Sequence, residues 1–179
     1  MDEILDRVDE QDNVIGTTTK EEAHRLGYAH RVAAVFVFND EGKLLVQLRK
    51  SDGLLDHSAA GHVDSGEGYN EAAGRELKEE LGITPPLNKI GIFYADERLP
   101  RREVKVVHYF GLYETKIDKS LAESMVLQES EVVKMIPMTL EEISKSMTEE
   151  PLKYTTGFQF TINFYIKQKN LNIPFVTIQ

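Results

Sequence analysis

Residues 61–83, GHVDSGEGYNEAAGRELKEELGI, constrain this chain more than any other stretch. Their second half predicts a helix: Asn70 is placed to cap it, Gly82 to stop it, and the residues between are good helix formers. At about 100° per residue, Glu76, Glu79 and Glu80 share one face, and Ala73, Leu77 and Leu81 form the adjoining apolar stripe. Carboxylates that close repel one another, which costs helix stability unless a cation sits on them. A hard divalent ion, Mg²⁺ or Mn²⁺, suits such an all-oxygen set. Arg75, four residues before Glu79, is spaced to pair with it. Taken alone, the helix reads equally as an amphipathic surface helix with a solvated acidic face.

The residues ahead of the helix separate these readings. Gly61, five residues, Glu67, seven residues and then Arg75-Glu76-Leu77-Lys78-Glu79-Glu80-Leu81-Gly82-Ile83 follow the pattern G-x5-E-x7-R-E-U-x-E-E-x-G-U, where U is apolar. At residue frequencies of about one in fifteen, the fixed identities would coincide with odds on the order of 10⁻⁸ per starting position. The stretch resembles the Nudix box at every specified position. That resemblance implies an α/β fold, an α/β/α sandwich around a mixed β-sheet. It also implies a hydrolase acting on a nucleoside diphosphate derivative or other small organic diphosphate. Such a substrate is kinetically inert mainly because its charge repels hydroxide; divalent ions neutralise it and acidify a bound water. A helix face is a rigid place for the carboxylates that hold them. By the resemblance, Glu76, Glu79, Glu80 and the backbone carbonyl of Gly61 hold one to three Mg²⁺ (or Mn²⁺) ions, Arg75 orients Glu79, and Glu67 braces the site. Members of the family recruit a further acid from outside the box. Glu129, in LQESEVVKMIP, is the first candidate, followed by Glu131 and Glu103.

A narrower resemblance covers LDRVDEQDNVIGTTTKEEAHRLGYAHRVAAVFVFNDEGKLLVQLRK, which is similar to the N-terminal half of the isopentenyl-diphosphate isomerase branch of the same superfamily. Those isomerases hold a metal with three histidines and two glutamates, and a cysteine before the box glycine moves protons. The histidines correspond to His24, His30 and His62, and the glutamate pair to Arg101 and Glu103. The sequence departs from that pattern twice: Ala60 stands where the cysteine belongs, and Arg101 where a ligand belongs. The isomerase branch also has a degraded box, and this box is intact. The expectation is an isomerase scaffold carrying hydrolase chemistry, with an isomerase of isopentenyl diphosphate or a non-catalytic Nudix-fold binding module as the alternatives. His24, His30 and His62, with Glu103, are candidates for a vestigial second metal site; otherwise they are capping or polar core residues.

Length and composition set the remaining bounds. The 179 residues are expected to form one Nudix domain: an N-terminal hairpin and short helix over residues 1–29, and the core with a C-terminal helix over residues 30–179. A formal charge of −9 argues against nucleic acid as a partner. The absence of cysteine excludes disulfides, thiolate ligands and a Cys nucleophile. With no apolar run long enough to span a bilayer and no visible signal peptide, a cytoplasmic setting and no membrane partner are expected. Strands are expected over residues 4–9, 13–17, 31–38, 44–48, 57–63, 89–95, 104–113 and 132–136. Thr19 and Thr139 open capping boxes for two short helices, and Pro151 is placed at the first position of a last helix reaching about Lys169. That helix is too apolar to be solvated, so it packs on the sheet or on a second copy, which leaves a homodimer open. Arg31, Arg49 and Lys50, at strand ends facing the box, are candidates for substrate binding.

Overall fold

The computed structural model describes residues 2–98 and 105–178. The chain opens with an antiparallel hairpin, β1 (Ile4–Val8) and β2 (Val14–Thr19). Its turn is closed by Asp9, whose carboxylate accepts from the backbone N–H groups of Gln11 and Asn13. Thr19 caps α1 (Lys20–Leu26) by accepting from the Glu22 N–H, and Gly27, in the left-handed region, ends it. There follow β3 (His30–Phe38), β4 (Leu44–Arg49), β5 (Leu55–Asp56), β6 (Ala59–His62) and the box helix α2 (Tyr69–Leu81). The second half contains β7 (Asn88–Arg98), β8 (Lys105–Lys116), α3 (Lys119–Glu123), β9 (Val132–Met138), α4 (Leu140–Glu149) and α5 (Thr156–Gln168).

The main sheet runs β5-β4-β3-β8-β7, with β6 alongside β3 and β9 alongside β4. β3 and β8 are parallel and the other pairs antiparallel, so the sheet is mixed. β3 meets β4 only at Phe38 and Leu44; its other half pairs with β6, Val32 opposite His62 and Ala33 opposite Gly61. This split brings the start of the box into the sheet.

Because alternate residues of a strand face opposite sides, β3 seeds two cores. Ala33, Val35 and Val37 pack against Ala72, Ala73, Leu77 and Leu81 of α2. Val32, Ala34 and Phe36 pack on the other side against Ile143 and Met147 of α4 and Phe158, Ile162, Tyr165 and Ile166 of α5. The result is the α/β/α sandwich. The apolar side chains of α5 are thus used within the chain, and Phe164 stacks on Phe93 with ring centroids 4.3 Å apart. The N-terminal segment is bound into this body. The Val8 N–H donates to the Ala29 carbonyl, the Ser65 N–H donates to Ile4, and Leu5 is completely buried.

Several boundaries differ from the sequence expectation. α2 begins before Asn70: Gly68 is the capping position, its N–H donating to the Glu71 carboxylate at 2.9 Å, and Asn70 lies in the first turn. Pro151 opens only a single 3₁₀ turn, Pro151–Lys153. α5 starts afresh at Thr155, whose hydroxyl accepts from the Phe158 N–H. β7 runs on through Asp96 and β8 to Lys116, because cross-strand pairing satisfies the backbone whatever the side-chain charge. β5 and α3 are present in addition to the expected strands and helices. Among the described residues no helix is long and apolar enough to cross a membrane.

Candidate functional site

α2 faces Gly61 across the sheet, and the contact is close. A Cβ at position 61 would overlap the Glu76 carboxylate where it now stands, so a side chain there requires Glu76 to move. Arg75 connects the elements around this contact. Its Nε and Nη2 donate to the two oxygens of Glu67 at 3.0 and 2.9 Å, a bidentate pair. The same guanidinium donates to the carbonyl of His62 at 2.9 Å, to Glu76 at 2.5 Å and to Glu79 at 3.3 Å. Hydrogen bonding to Glu67, followed by the charge of Glu76, raises the Arg75 pKa, so the cation is permanent. Glu67 in turn accepts from the Asp64 N–H at 3.1 Å, which fixes the loop before the helix. The expected contact with Glu79 is present, but it is the longest of the set; Glu67 and Glu76 hold Arg75 more closely.

Glu80 occupies the most unusual environment. It is 3% exposed, and its carboxylate accepts from two neutral donors, the Gln47 amide and the Ala60 N–H. Burial pushes its pKa up to about 8; those hydrogen bonds oppose the shift, and the charges of Glu76 and Glu131 add to it. Burial also raises Glu76, against the pull of Arg75. Two desolvated carboxylates on one helix face, backed by a side-chain-free glycine, fit a hard divalent cation in donor chemistry and in charge. Arg75 and Gln47 draw the three box carboxylates toward different partners. Convergence on one ion therefore requires rotation of their side chains.

The outlying candidates fall in different places. Glu131, exposed in the turn before β9, acts electrostatically on both Glu76 and Glu80. The backbone carbonyl of Glu129 accepts from the Lys50 ammonium at 2.7 Å. Arg49 pairs with Asp56 at 2.9 Å and Asp52 at 3.3 Å, and lies within electrostatic reach of Glu80. Arg31 is committed elsewhere: its guanidinium binds the side chain and carbonyl of Asp12 at the hairpin tip, 5.4 Å from the Tyr69 ring. The three basic candidates therefore do not converge. Arg101 and Glu103 lie outside the described residues.

His24, His30 and His62 do come together, on the side of the sheet opposite α2, and a fourth histidine that sequence reasoning missed, His108, joins them. Among the described residues these four are the one group of histidine or carboxylate ligands whose donor atoms all lie within 4.8 Å of one another. Burial lowers His24 to about 4, His30 to about 2, and His62 as well, so these rings are uncharged at neutral pH. His108 could be found only from its pairing with His30, which no local pattern reveals. The fifth histidine, His57, is a core residue linking Asp56 to the Thr161 hydroxyl, each at 2.7 Å.

Comparison with known proteins gives consistent matches. Residues 28–157 match the NUDIX domain. The chain is 34% identical over 168 residues to isopentenyl-diphosphate delta-isomerase 2 of Photorhabdus laumondii, spanning 91% of this chain and 92% of that one. It is 32% identical over 155 residues to an uncharacterised Nudix hydrolase of Clostridium acetobutylicum, spanning 80% and 73% of the two chains. The crystal structure of DR0079 from Deinococcus radiodurans superposes with a TM-score of 0.67 at 25% identity, covering 83% of this chain and 90% of that one.

Proposed function

The chain belongs to the Nudix family, and on that premise we propose that it is a divalent-metal-dependent pyrophosphohydrolase. Its substrate is a nucleoside diphosphate derivative or another small organic diphosphate. The observation that carries this reading is Glu80: a carboxylate 3% exposed, held by neutral donors, on the same helix face as the half-buried carboxylate of Glu76. Arg75 already offsets the charge of Glu76, whereas Glu80 has neutral partners alone among its hydrogen bonds, so a cation beside it would favour its ionised form.

In this reading Glu76, Glu79, Glu80 and the Gly61 carbonyl would hold Mg²⁺ or Mn²⁺, whose charge would offset that of the diphosphate and lower the pKa of a bound water. The protein's own contribution is positional. Arg75 locks Glu67, Glu76, Glu79 and the His62 carbonyl into one unit, so the helix face and β6 move together. Glu131 is the acid we assign to receive a proton from the attacking water, with Glu129 as the alternative; its support is that its charge acts on both Glu76 and Glu80. Arg49, near Glu80, is the better-placed of the basic candidates for the substrate's phosphates, with Lys50 beside it. Arg31 we assign to holding the hairpin tip. The net charge of −9 disfavours nucleic acid and leaves a small anionic substrate open, because bound metal ions would supply the local positive charge.

An isomerase reading draws on the Photorhabdus relative and on the gathered histidines. Against it stands Ala60 in the position before Gly61, whose methyl group cannot transfer a proton. A binding module without turnover has no use for the complete acidic set. The test is a panel of nucleoside diphosphates, sugar nucleotides, dinucleoside polyphosphates and prenyl diphosphates, run with Mg²⁺ and separately with Mn²⁺. Cleavage within the diphosphate, lowered at least about a hundredfold in Glu79→Gln and in Glu80→Gln, is expected. Ligand binding without turnover across the panel would replace the hydrolase with the binding module.

A further inference from the structure

The N-terminal hairpin lies ahead of the NUDIX match, which begins at residue 28, yet it is tied to the box between Gly61 and Arg75. β1 has β2 along one edge. Beyond its other edge Leu5 bridges to Asp64, and the Ser65 N–H donates to the Ile4 carbonyl at 2.9 Å. Asp6, next on the strand, is only 8% exposed. Its carboxylate accepts from the Ser65 hydroxyl at 2.7 Å and from the Gly66 N–H at 3.2 Å. Burying a carboxylate is costly, and the donors that offset the cost here both come from the box. At the far end of the hairpin, Asp12 adopts a φ of 62°, uncommon for a residue other than glycine. Its carboxylate pairs with Arg31 at 2.7 Å and accepts from the hydroxyl of Tyr69, the first residue of α2, at 2.9 Å. The stretch between these anchors builds no core of its own. Asp64, Ser65, Gly66 and Gly68 are exposed, and the turn is closed by the Glu67 N–H donating to the Asp64 carbonyl at 2.9 Å.

We propose that the hairpin is a positioning element of the box, in which Asp6 fixes the turn over residues 64–67 and, through Glu67 and Arg75, sets the α2 carboxylates for a divalent cation. The links are continuous. Asp6 holds Ser65 and Gly66, and Glu67 ends the same turn. Arg75 holds Glu67 with two hydrogen bonds and reaches Glu76 and Glu79 with others. Carboxylates that repel one another spread apart without a cation, so a fixed frame behind them lowers the reordering that binding demands. Asp64, Ser65 and Gly66 are exposed and lie outside both apolar cores. A loosened turn is therefore felt as weaker metal binding with the fold retained. Asp6 acts only through its neighbours, which makes it a positioning residue, and its role rests on the reading of α2 as the helix that holds the cation.

The test titrates the full chain, stripped with a chelator, with Mn²⁺ alone and follows the free ion by electron paramagnetic resonance. Binding that Glu79→Gln abolishes is assigned to the box. Amide hydrogen exchange over residues 61–70 is read on the same samples. Asp6→Asn keeps the side chain's size, but its amide nitrogen cannot accept from Ser65 or Gly66. It is expected to weaken box binding at least about tenfold and to speed exchange at residues 65–68, with exchange in β3 and α5 unchanged. Ser65→Ala should weaken binding too, and the double variant no more than Asp6→Asn alone, because both remove one link. Tyr69→Phe, which frees only the hairpin tip, is the second variant should Asp6→Asn fail to fold, and the same two signs are expected of it. Box binding or exchange that is unchanged in Asp6→Asn overturns the positioning role and leaves the hydrolase reading standing. Losses that add in the double variant also overturn it. A wild-type chain with no Mn²⁺ binding sensitive to Glu79→Gln overturns both.

Discussion

The Glu76 carboxylate fills the space a side chain at position 61 would need. Gly61→Ala is therefore expected to push Glu76 off its position, with turnover falling at least about a hundredfold and stability by about 1–3 kcal/mol. Denaturant unfolding alongside steady-state rates checks both. Glu80 provides a pH signature in chelated protein. Its pKa is raised from 4.5 to about 8 by burial, so the folded state holds the proton more tightly than the unfolded one. The resulting stability is fully present below pH 4.5 and is lost as pH rises through 8. The Tm of the metal-free chain should fall across that window by the equivalent of a few kcal/mol, and Glu80→Gln should remove this part of the slope. A Tm that holds level or rises over the same range in chelated wild type would contradict the burial argument. The box residues were legible because their spacing is local to one turn and one helix. Gln47, which meets Glu80 from β4, and His108, which meets His30 from β8, were not: only the sheet pairing brings them there.

At the scale of elements, α2 is steadied by Leu77 and Leu81 on its buried stripe and by the Arg75 fork on its polar edge. Arg75→Lys keeps the charge but loses the planar fork that spans Glu67 and the His62 carbonyl. It is expected to lower kcat by about tenfold or more while the fold stays intact, a combination that kinetics with circular dichroism would show. α5 makes the complementary case. Phe158 is completely buried between Phe36 and His57, and Phe158→Ala should cost about 3–5 kcal/mol in denaturant unfolding. The sequence revealed that this helix is too apolar for solvent, yet Pro151 misled on its start. Proline is compatible with any first turn, and here it opens a separate 3₁₀ turn before Thr155 caps the helix. Asn70 misled in the same way, since Gly68 with Glu71 closes the α2 terminus two residues earlier. Caps depend on backbone geometry that residue type only partly determines.

Across the whole molecule, one sheet separates two ligand environments. Oxygen donors line the α2 side, imidazoles the other, and the adjacent residues Gly61 and His62 reach one each. The chemistry proposed for the protein uses the α2 side of this sheet. The most direct measurement is product analysis in ¹⁸O-labelled water with Mg²⁺, offering a nucleoside diphosphate derivative and isopentenyl diphosphate side by side. A hydrolase places one labelled oxygen on a phosphate product and requires Glu79 and Glu80 to do so. Conversion of isopentenyl diphosphate to its allylic isomer, without label and with its diphosphate intact, would show that the protein isomerises despite Ala60.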